Sequence, residues 1–356
     1  MSQCTFADHL TIENRRIGSA APAFIIAEVG VNHNGDLDLA HKHIEAVAEC
    51  KADAVKFQTF RTEEFLASKD QIYEYESAGE KCQETMYEMF KRLELPMRWH
   101  AELFEHAREL GLVPLTSVAD IQSAEMVTAI GIGAYKASSE DLVNLPLIRH
   151  LVKQKLPIIF STGMANEDEI FDVFQILEEY GHTDCCFLHC TSQYPTPPAN
   201  VNLKRMQSLM ELGIGVVGYS DHTVGNQASL AAVAMGAKVI EKHFTLDRNL
   251  SGPDHAFSSP PEELARLVTE IRELERMLGN GTIDAVGDEH AARLAFRRSL
   301  VAVRDLSQGH VLTEEDIVLK RPGTGLRYRE LDAILGKALI CDIKADHQIL
   351  ETNVAS

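Results

Sequence analysis

The sequence predicts a (β/α)8 barrel followed by a small, mostly β module. Three observations carry that reading. Eight short apolar runs each end in polar, chemically capable side chains, which is how buried parallel strands deliver groups to a barrel mouth. Helix-length stretches separate these runs. The 356 residues also exceed the about 250 that a barrel needs, with a Gly-, Asn-, Thr- and Asp-rich break from Gly279 to His290.

In chain order, residues 1–22 are an opening segment, read as a strand or hairpin that closes the barrel bottom. Phe24-Ile25-Ile26-Ala27 is the first buried strand, ending at Glu28. Asn34-Gly35 is a turn pair, and Asp36 caps a helix from Leu37 to Cys50. Strand Ala54 to Gln58 places Lys56 and Gln58 on one side. The polar stretch from Thr59 to Leu95 reads as a lid or substrate loop, or else as a surface insertion. Pro96 opens a helix that runs through Leu110. Further strands follow at Val113-Pro114-Leu115, Ala134 to Ala137, Pro157 to Phe160 and Cys186-Phe187-Leu188. They end in Thr116-Ser117, Ser138-Ser139-Glu140-Asp141, Ser161-Thr162-Gly163-Met164 and His189-Cys190-Thr191. The last two strands end in Ser220-Asp221-His222 and Glu241-Lys242-His243. The clearest intervening helices are Glu167 to Tyr180 and Pro261 to Leu278. Domain bounds follow as a barrel over 1–280, a linker over 281–292 and a compact, mostly β module over 293–356.

Composition excludes several partners. Hydrophobic residues at 45% and charged residues at 24% describe an ordinary globular protein. A net charge of −19 argues against nucleic acid or an anionic membrane, since both repel it. Seven Cys without a C-x-x-C spacing suit reduced thiols in the cytoplasm. Met1 to Asn14 is mixed and polar, unlike a signal peptide, and no apolar run reaches the ~18 residues of a membrane span.

Strand alternation points to the chemistry. Ser220 and His222 share one face, as do Glu241 and His243, while Lys242 and Asp221 point the other way. Two imidazoles from neighbouring strand ends, each with a carboxylate within two positions, suggest a divalent-metal site; the plainer reading is a pair of hydrogen-bonded strand-end histidines. Glu241 would hold water at that site or support it from behind. Lys56, Gln58, Ser117, Lys136, Ser139, Ser161 and Ser220 supply cations and neutral donors that suit a phosphate plus a carboxylate. A buried Lys also admits the Schiff-base nucleophile of an aldolase.

These residues form a recognisable text. Phe24-Ile25-Ile26-Ala27-Glu28-Val29-Gly30-Val31-Asn32-His33-Asn34-Gly35, Val55-Lys56-Phe57-Gln58, Ser161-Thr162-Gly163-Met164, Tyr194-Pro195-Thr196-Pro197, Gly218-Tyr219-Ser220-Asp221-His222-Thr223 and Glu241-Lys242-His243-Phe244-Thr245 closely resemble the sialic acid synthase (N-acetylneuraminate synthase) family. The likeness spans nearly the whole chain, and the tail resembles that family's antifreeze-like domain, with Lys320-Arg321-Pro322-Gly323 at its marker. The resemblance implies condensation of phosphoenolpyruvate with an N-acylated mannosamine-type aldose, releasing phosphate. It implies His222 and His243 as ligands of a divalent metal, manganese first, with magnesium or cobalt as alternatives. It assigns phosphoenolpyruvate to Lys56, Gln58, Ser117, Lys136, Ser139, Ser161 and Ser220, with Asp141 in the same substrate-binding set. Glu28, Tyr194 and Asp254 would face the sugar, and Glu28 would move a proton. Arg321 would reach a neighbour's site in a domain-swapped homodimer. The chain departs from the family's usual text at Ser138-Ser139-Glu140, Val118-Ala119-Asp120 and Ser192. A Schiff-base aldolase and a non-catalytic sugar-binding barrel are the competing readings, and the sugar itself is not legible.

Overall fold

A computed structural model describes residues 6–355; residues 1–5 of the polar start lie outside them. The chain divides into two compact units that meet at Gly279 and Asn280.

The first unit is a closed barrel of eight parallel strands. Before it comes a hairpin, β1 (His9–Ile12) and β2 (Arg15–Gly18). The barrel begins with β3 (Phe24–Gly30), α1 (Leu37–Glu49) and β4 (Ala54–Thr59). An excursion follows: α2 (Thr62–Phe65), an antiparallel pair β5 (Ile72–Ser77) and β6 (Glu80–Thr85), then α3 (Met86–Leu93) and α4 (His100–Glu109). The alternation resumes with β7 (Val113–Val118), α5 (Ile121–Ala129), β8 (Tyr135–Ala137), α6 (Leu145–Lys153) and β9 (Ile158–Ser161). It ends with α7 (Glu167–Tyr180), β10 (Cys185–Cys190), α8 (Lys204–Glu211), β11 (Val217–Asp221), α9 (Gln227–Ala234), β12 (Val239–His243) and α10 (Pro261–Leu278). β12 pairs with β3, so the sheet closes.

The two-residue period of a strand sorts this barrel into layers. Ile25, Ala27, Val29, Val55 and Phe57 point outward and pack beneath the helices. Phe24, Ile26, Ala54, Val113, Leu115, Ile159, Leu188 and Val239 point inward and fill the lower barrel. Leu10, Ile12 and Ile17 of the hairpin plug that end, each 0–2% exposed and each contributing about 1.5–3 kcal/mol through burial. One pleat further up the same inward rows stand Glu28, Lys56, Ser117, Lys136, Ser161, Ser220 and Glu241, all buried. The apolar floor therefore carries a charged layer immediately above it.

The expected helix start holds: the Asp36 carboxylate accepts from Leu39 N at 3.0 Å. The stretch from Thr59 to Leu95 is not a loop. It holds the β5–β6 hairpin and two helices, and Val31, Phe60, Met89 and Leu93 bury a small apolar cluster there. Pro96 opens only a short 3-10 turn, Met97–Trp99, before α4.

The second unit is built around Leu300, Leu306, Leu312, Leu339, Ile349 and their neighbours. It contains α11 (Glu289–Phe296) and an antiparallel pair, β13 (Ser299–Ala302) and β14 (Ile317–Lys320). The expected linker over 281–292 thus already contains the start of a helix, because Ala291-Ala292-Arg293-Leu294 is good helix-forming text after the glycine-rich break.

Candidate active site

The charged layer is a set of ion pairs. Lys56 Nζ lies 2.7 Å from Glu28 Oε2 and 3.7 Å from Glu241 Oε2, and Lys136 Nζ lies 3.8 Å from Glu241 Oε1. Register explains the meeting: Glu28 is paired with Lys56 across β3 and β4, and Ser220 with Glu241 across β11 and β12. Hydroxyls complete the layer. Lys56 donates to Ser117 Oγ at 3.0 Å, Lys136 to Ser161 Oγ at 2.7 Å, and Ser220 Oγ donates to Glu241 Oε1 at 3.0 Å. Gln58 donates to Glu28 Oε1 at 3.0 Å.

Side-chain exposure of these four charged groups is 2–6%. Charges so buried persist only when paired. Burial pushes Glu28 above the usual carboxylate range, against the pull of Lys56. Burial works the same way on Glu241, but Lys136 and Lys56 outweigh it and hold that carboxyl ionised. Lys56 is held above its ordinary range because Glu241 and Glu28 overcome its own desolvation. The basic cup that the strand-end lysines suggested is therefore already neutralised by two carboxylates.

Above this layer stand the two imidazoles. The His222 and His243 ring centroids are 5.3 Å apart, with the planes at 65°. His222 Nδ1–H donates to Thr191 O at 2.9 Å, which leaves Nε2, 3.5 Å from Ser220 Oγ, as the ring's other ligating atom. His243 Nδ1 is buried and has no hydrogen-bond partner. Burial drives His243 well below the usual imidazole range, so its ring is neutral. His222 sits higher than usual despite its burial, because Cys190 Sγ is 3.8 Å from its Nδ1; a cation bound there displaces a proton. Among the described residues no group of three or more His, Cys, Asp or Glu side chains is arranged to hold a cation by itself. The two imidazoles would nonetheless suit a first-row divalent ion that takes its further ligands from water or substrate oxygen.

The walls of the mouth come from loops after the strands. The Tyr194 ring lies 4.2 Å from His222 and 5.9 Å from His243, and Phe257 lies 5.1 Å from His243. Asp254 Oδ2 is 3.7 Å from His243 Nδ1, and burial together with Glu28 raises that carboxyl to about 7. Gly30, at φ +55°, shows why a side chain is excluded here: a Cβ would sit 3.1 Å from Gln58 Nε2, 3.2 Å from Glu28 Oε1 and 3.6 Å from Asp254 Oδ2. Gly163 does the same on the other side, where a Cβ would meet Ser192 Oγ and Ser139 Oγ. Ser139 Oγ accepts from Gly163 N at 3.0 Å.

Two residues of the expected set make contacts of another kind. The Asp141 carboxylate accepts from Ser138 Oγ at 2.6 Å and Asn144 Nδ2 at 3.4 Å, and so ties the turn after β8. Arg321 belongs to the second unit, where its guanidinium lies 5.3 Å over the Phe296 ring. Lys242 and Asp221 face outward as expected. Lys242 Nζ donates to Asp221 Oδ2, Thr223 O and Gly225 O at 2.9, 2.6 and 2.9 Å, clamping the turn that carries His222. Phe257 and Cys190 were missed; an apolar ring in a loop and a thiol inside a buried strand carry no local signal of a site.

Residues 43–283 match the NeuB family, and residues 297–355 match the SAF domain. The chain belongs to the NeuB family. It is 41% identical to the N,N'-diacetyllegionaminic acid synthase of Campylobacter jejuni over 92% of this chain and 98% of that one. It is 34% identical to the human N-acetylneuraminate-9-phosphate synthase over 95% and 94% of the two chains. Among solved structures, the N-acetylneuraminic acid synthetase of Leptospira borgpetersenii, in complex with citrate, superposes with a TM-score of 0.73 at 33% identity, over 81% of this chain and 96% of that one. The NeuB-family chain described here is accordingly an enzyme of phosphoenolpyruvate-dependent condensation, with a TIM barrel and a C-terminal SAF domain. Among the described residues no helix is long and apolar enough to cross a membrane.

Proposed function

We propose that this enzyme makes a nonulosonic acid by joining C3 of phosphoenolpyruvate to the aldehyde carbon of an open-chain N-acylated amino sugar. The observation that supports this most is the stacking of the buried Glu28–Lys56–Glu241–Lys136 layer beneath the two converging imidazoles. An anion of phosphate and carboxylate type finds in that layer two ammonium groups and the Ser117, Ser161 and Ser220 hydroxyls. As the anion takes over Lys56, Glu28 loses its counter-charge, and a carboxyl already shifted upward by burial takes up a proton. Glu28 is thus placed to protonate the aldehyde oxygen as the carbon–carbon bond forms. Water then adds at C2 of the former enol, returning its proton to the Glu28 carboxylate, and the tetrahedral carbon expels phosphate by breaking the C–O bond as the new hydroxyl's proton leaves with the phosphate. His222 and His243 would hold a divalent cation, manganese first, which polarises the aldehyde as a Lewis acid. Tyr194, Phe257 and Asp254 would flank the sugar.

The sugar favoured is a 2,4-diacetamido-6-deoxy hexose. The relative named for N,N'-diacetyllegionaminic acid is more similar than the one named for N-acetylneuraminate 9-phosphate, at 41% against 34% identity. The groups found around this mouth, Asp254, Tyr194 and Phe257, are acidic or aromatic and suit a neutral sugar better than a phosphorylated one. A Schiff-base mechanism is disfavoured because Lys56 is held charged by two carboxylates, and an imine needs a free amine. We place Arg321 at a partner's mouth in a swapped homodimer.

The test is phosphate release from phosphoenolpyruvate labelled with 18O at the bridging oxygen, with each candidate aldose in turn. C–O cleavage sends the label into phosphate, and the diacetamido sugar turns over fastest. Label retained in the sugar acid would overturn the mechanism, and preference for a phosphorylated sugar would overturn the assignment of substrate.

A further inference from the structure

A second group of metal-ligating side chains lies on the outside of the barrel, between neighbouring helices. His41 and Glu45 are four residues apart on α1, and Glu102 and His106 are four apart on α4, so each pair shares a helix face. The helices bring the two faces together. His41 Nδ1 lies 2.6 Å from His106 Nδ1, with ring centroids 4.7 Å apart. Behind the rings stand the carboxylates: Glu102 Oε1 is 3.0 Å from His41 Nε2, and Glu45 Oε1 is 4.0 Å from His106 Nε2.

This order has a chemical consequence. A carboxylate accepts only, so His41 Nε2 carries a hydrogen toward Glu102, while Glu45 stands too far from His106 for a hydrogen bond. His41 Nδ1 is then a lone pair pointing at His106 Nδ1. A hydrogen on His106 Nδ1 closes that contact, and a metal ion can take the hydrogen's place between the two nitrogens. A carboxylate behind a ligating imidazole, as Glu102 stands behind His41, fixes the tautomer and raises the basicity of a metal-binding histidine. The rings are 23% and 21% exposed, so an ion reaches them from solvent; two bonds of about 2.05 Å in a tetrahedral site require the two nitrogens about 3.3 Å apart.

We propose that His41 and His106 bind one borderline divalent cation, of the Zn2+, Ni2+ or Cu2+ class, completed by water and stapling α1 to α4. This site is separate from the barrel mouth and does not rest on the reading of His222 and His243. Imidazole ligation selects these ions over Mg2+ or Ca2+.

The experiment uses the full chain carrying His222→Ala and His243→Ala, stripped with chelator and titrated calorimetrically with Zn2+. We expect one equivalent to bind, with affinity falling at least about 10-fold on adding His41→Gln or His106→Gln, and about 10-fold on adding Glu102→Gln, which leaves both rings in place. With Cu2+, electron paramagnetic resonance should show coupling to two ring nitrogens, reduced to one in either histidine variant. Equal melting temperatures of parent and variants in chelator establish that a ligand, not the fold, was lost; should a histidine variant melt lower, Glu102→Gln decides. Zn2+ binding indifferent to all three substitutions would overturn the proposal and leave a plain hydrogen bond between the rings.

Discussion

Replacing Lys56 by Met leaves two buried carboxylates facing a missing charge. At an effective dielectric of about 20, the contacts at 2.7 and 3.7 Å amount to about 10 kcal/mol of gross attraction. Desolvation offsets most of that, and removing one partner of a buried pair costs a net of about 3–5 kcal/mol. The sign with pH follows from Glu28. Its carboxyl is raised by burial, with Lys56 the strongest opposing influence, so removing Lys56 raises it further. A carboxyl raised in the folded state favours folding at low pH and loses that advantage as pH climbs through its folded value. Lys56→Met should therefore lie nearest the parent at about pH 5 and fall furthest below it at about pH 8. Adding Glu28→Gln removes the orphaned charge and should restore about 2 kcal/mol or more at the higher pH. The assay is urea unfolding followed by fluorescence of Trp99, the only tryptophan, which lies in the barrel unit. A Lys56→Met chain as stable as the parent at pH 8, or one that Glu28→Gln fails to rescue, would refute the reasoning.

Three further outcomes are expected. Lys242→Gln loosens the turn held by three hydrogen bonds behind His222, and should weaken divalent-ion affinity by about 10-fold while phosphoenolpyruvate binding persists; calorimetry with Mn2+ measures it. The β5–β6 hairpin is tied to the segment carrying Asp254, since Ser77 Oγ accepts from Gly252 N at 2.9 Å, and the Tyr73 hydroxyl is raised by burial and by the nearby Asp254 charge. Tyr73→Ala should raise KM for the sugar several-fold and leave KM for phosphoenolpyruvate unchanged; equal rises in both would contradict this. If Arg321 acts in trans, mixing inactive Glu28→Gln and slowed Arg321→Ala chains under exchange conditions should recover turnover above that of either alone, and no recovery would argue against the swap.

The barrel was legible because burial on both faces leaves nearly continuous apolar strands, and because their polar ends are abrupt. Val55-Lys56-Phe57-Gln58 and Val239-Ile240-Glu241-Lys242-His243 announce their inward residues by alternation alone. The hairpin was hidden by its chemistry. Glu74, Glu76, Lys81 and Gln83 give it a polar surface, and its turn uses Ala78-Gly79, both at positive φ (+52° and +80°), where Asn-Gly is the usual signal. Neutralisation of the lysines was hidden for a different reason. Lys56 and Glu241 are 185 positions apart by the numbering and meet only because β12 closes onto β3 beside β4. The two hydrogen bonds of Asp141 were not legible either, because a carboxylate at a strand end serves a turn as readily as a ligand.

Anomalous diffraction at the manganese edge, from crystals grown with Mn2+ and phosphoenolpyruvate, tests the central claim most directly. The account predicts a peak between His222 and His243, with the phosphate and carboxylate resting against Lys56 and Lys136. Density for the anion elsewhere, or no peak between those two rings, would contradict it.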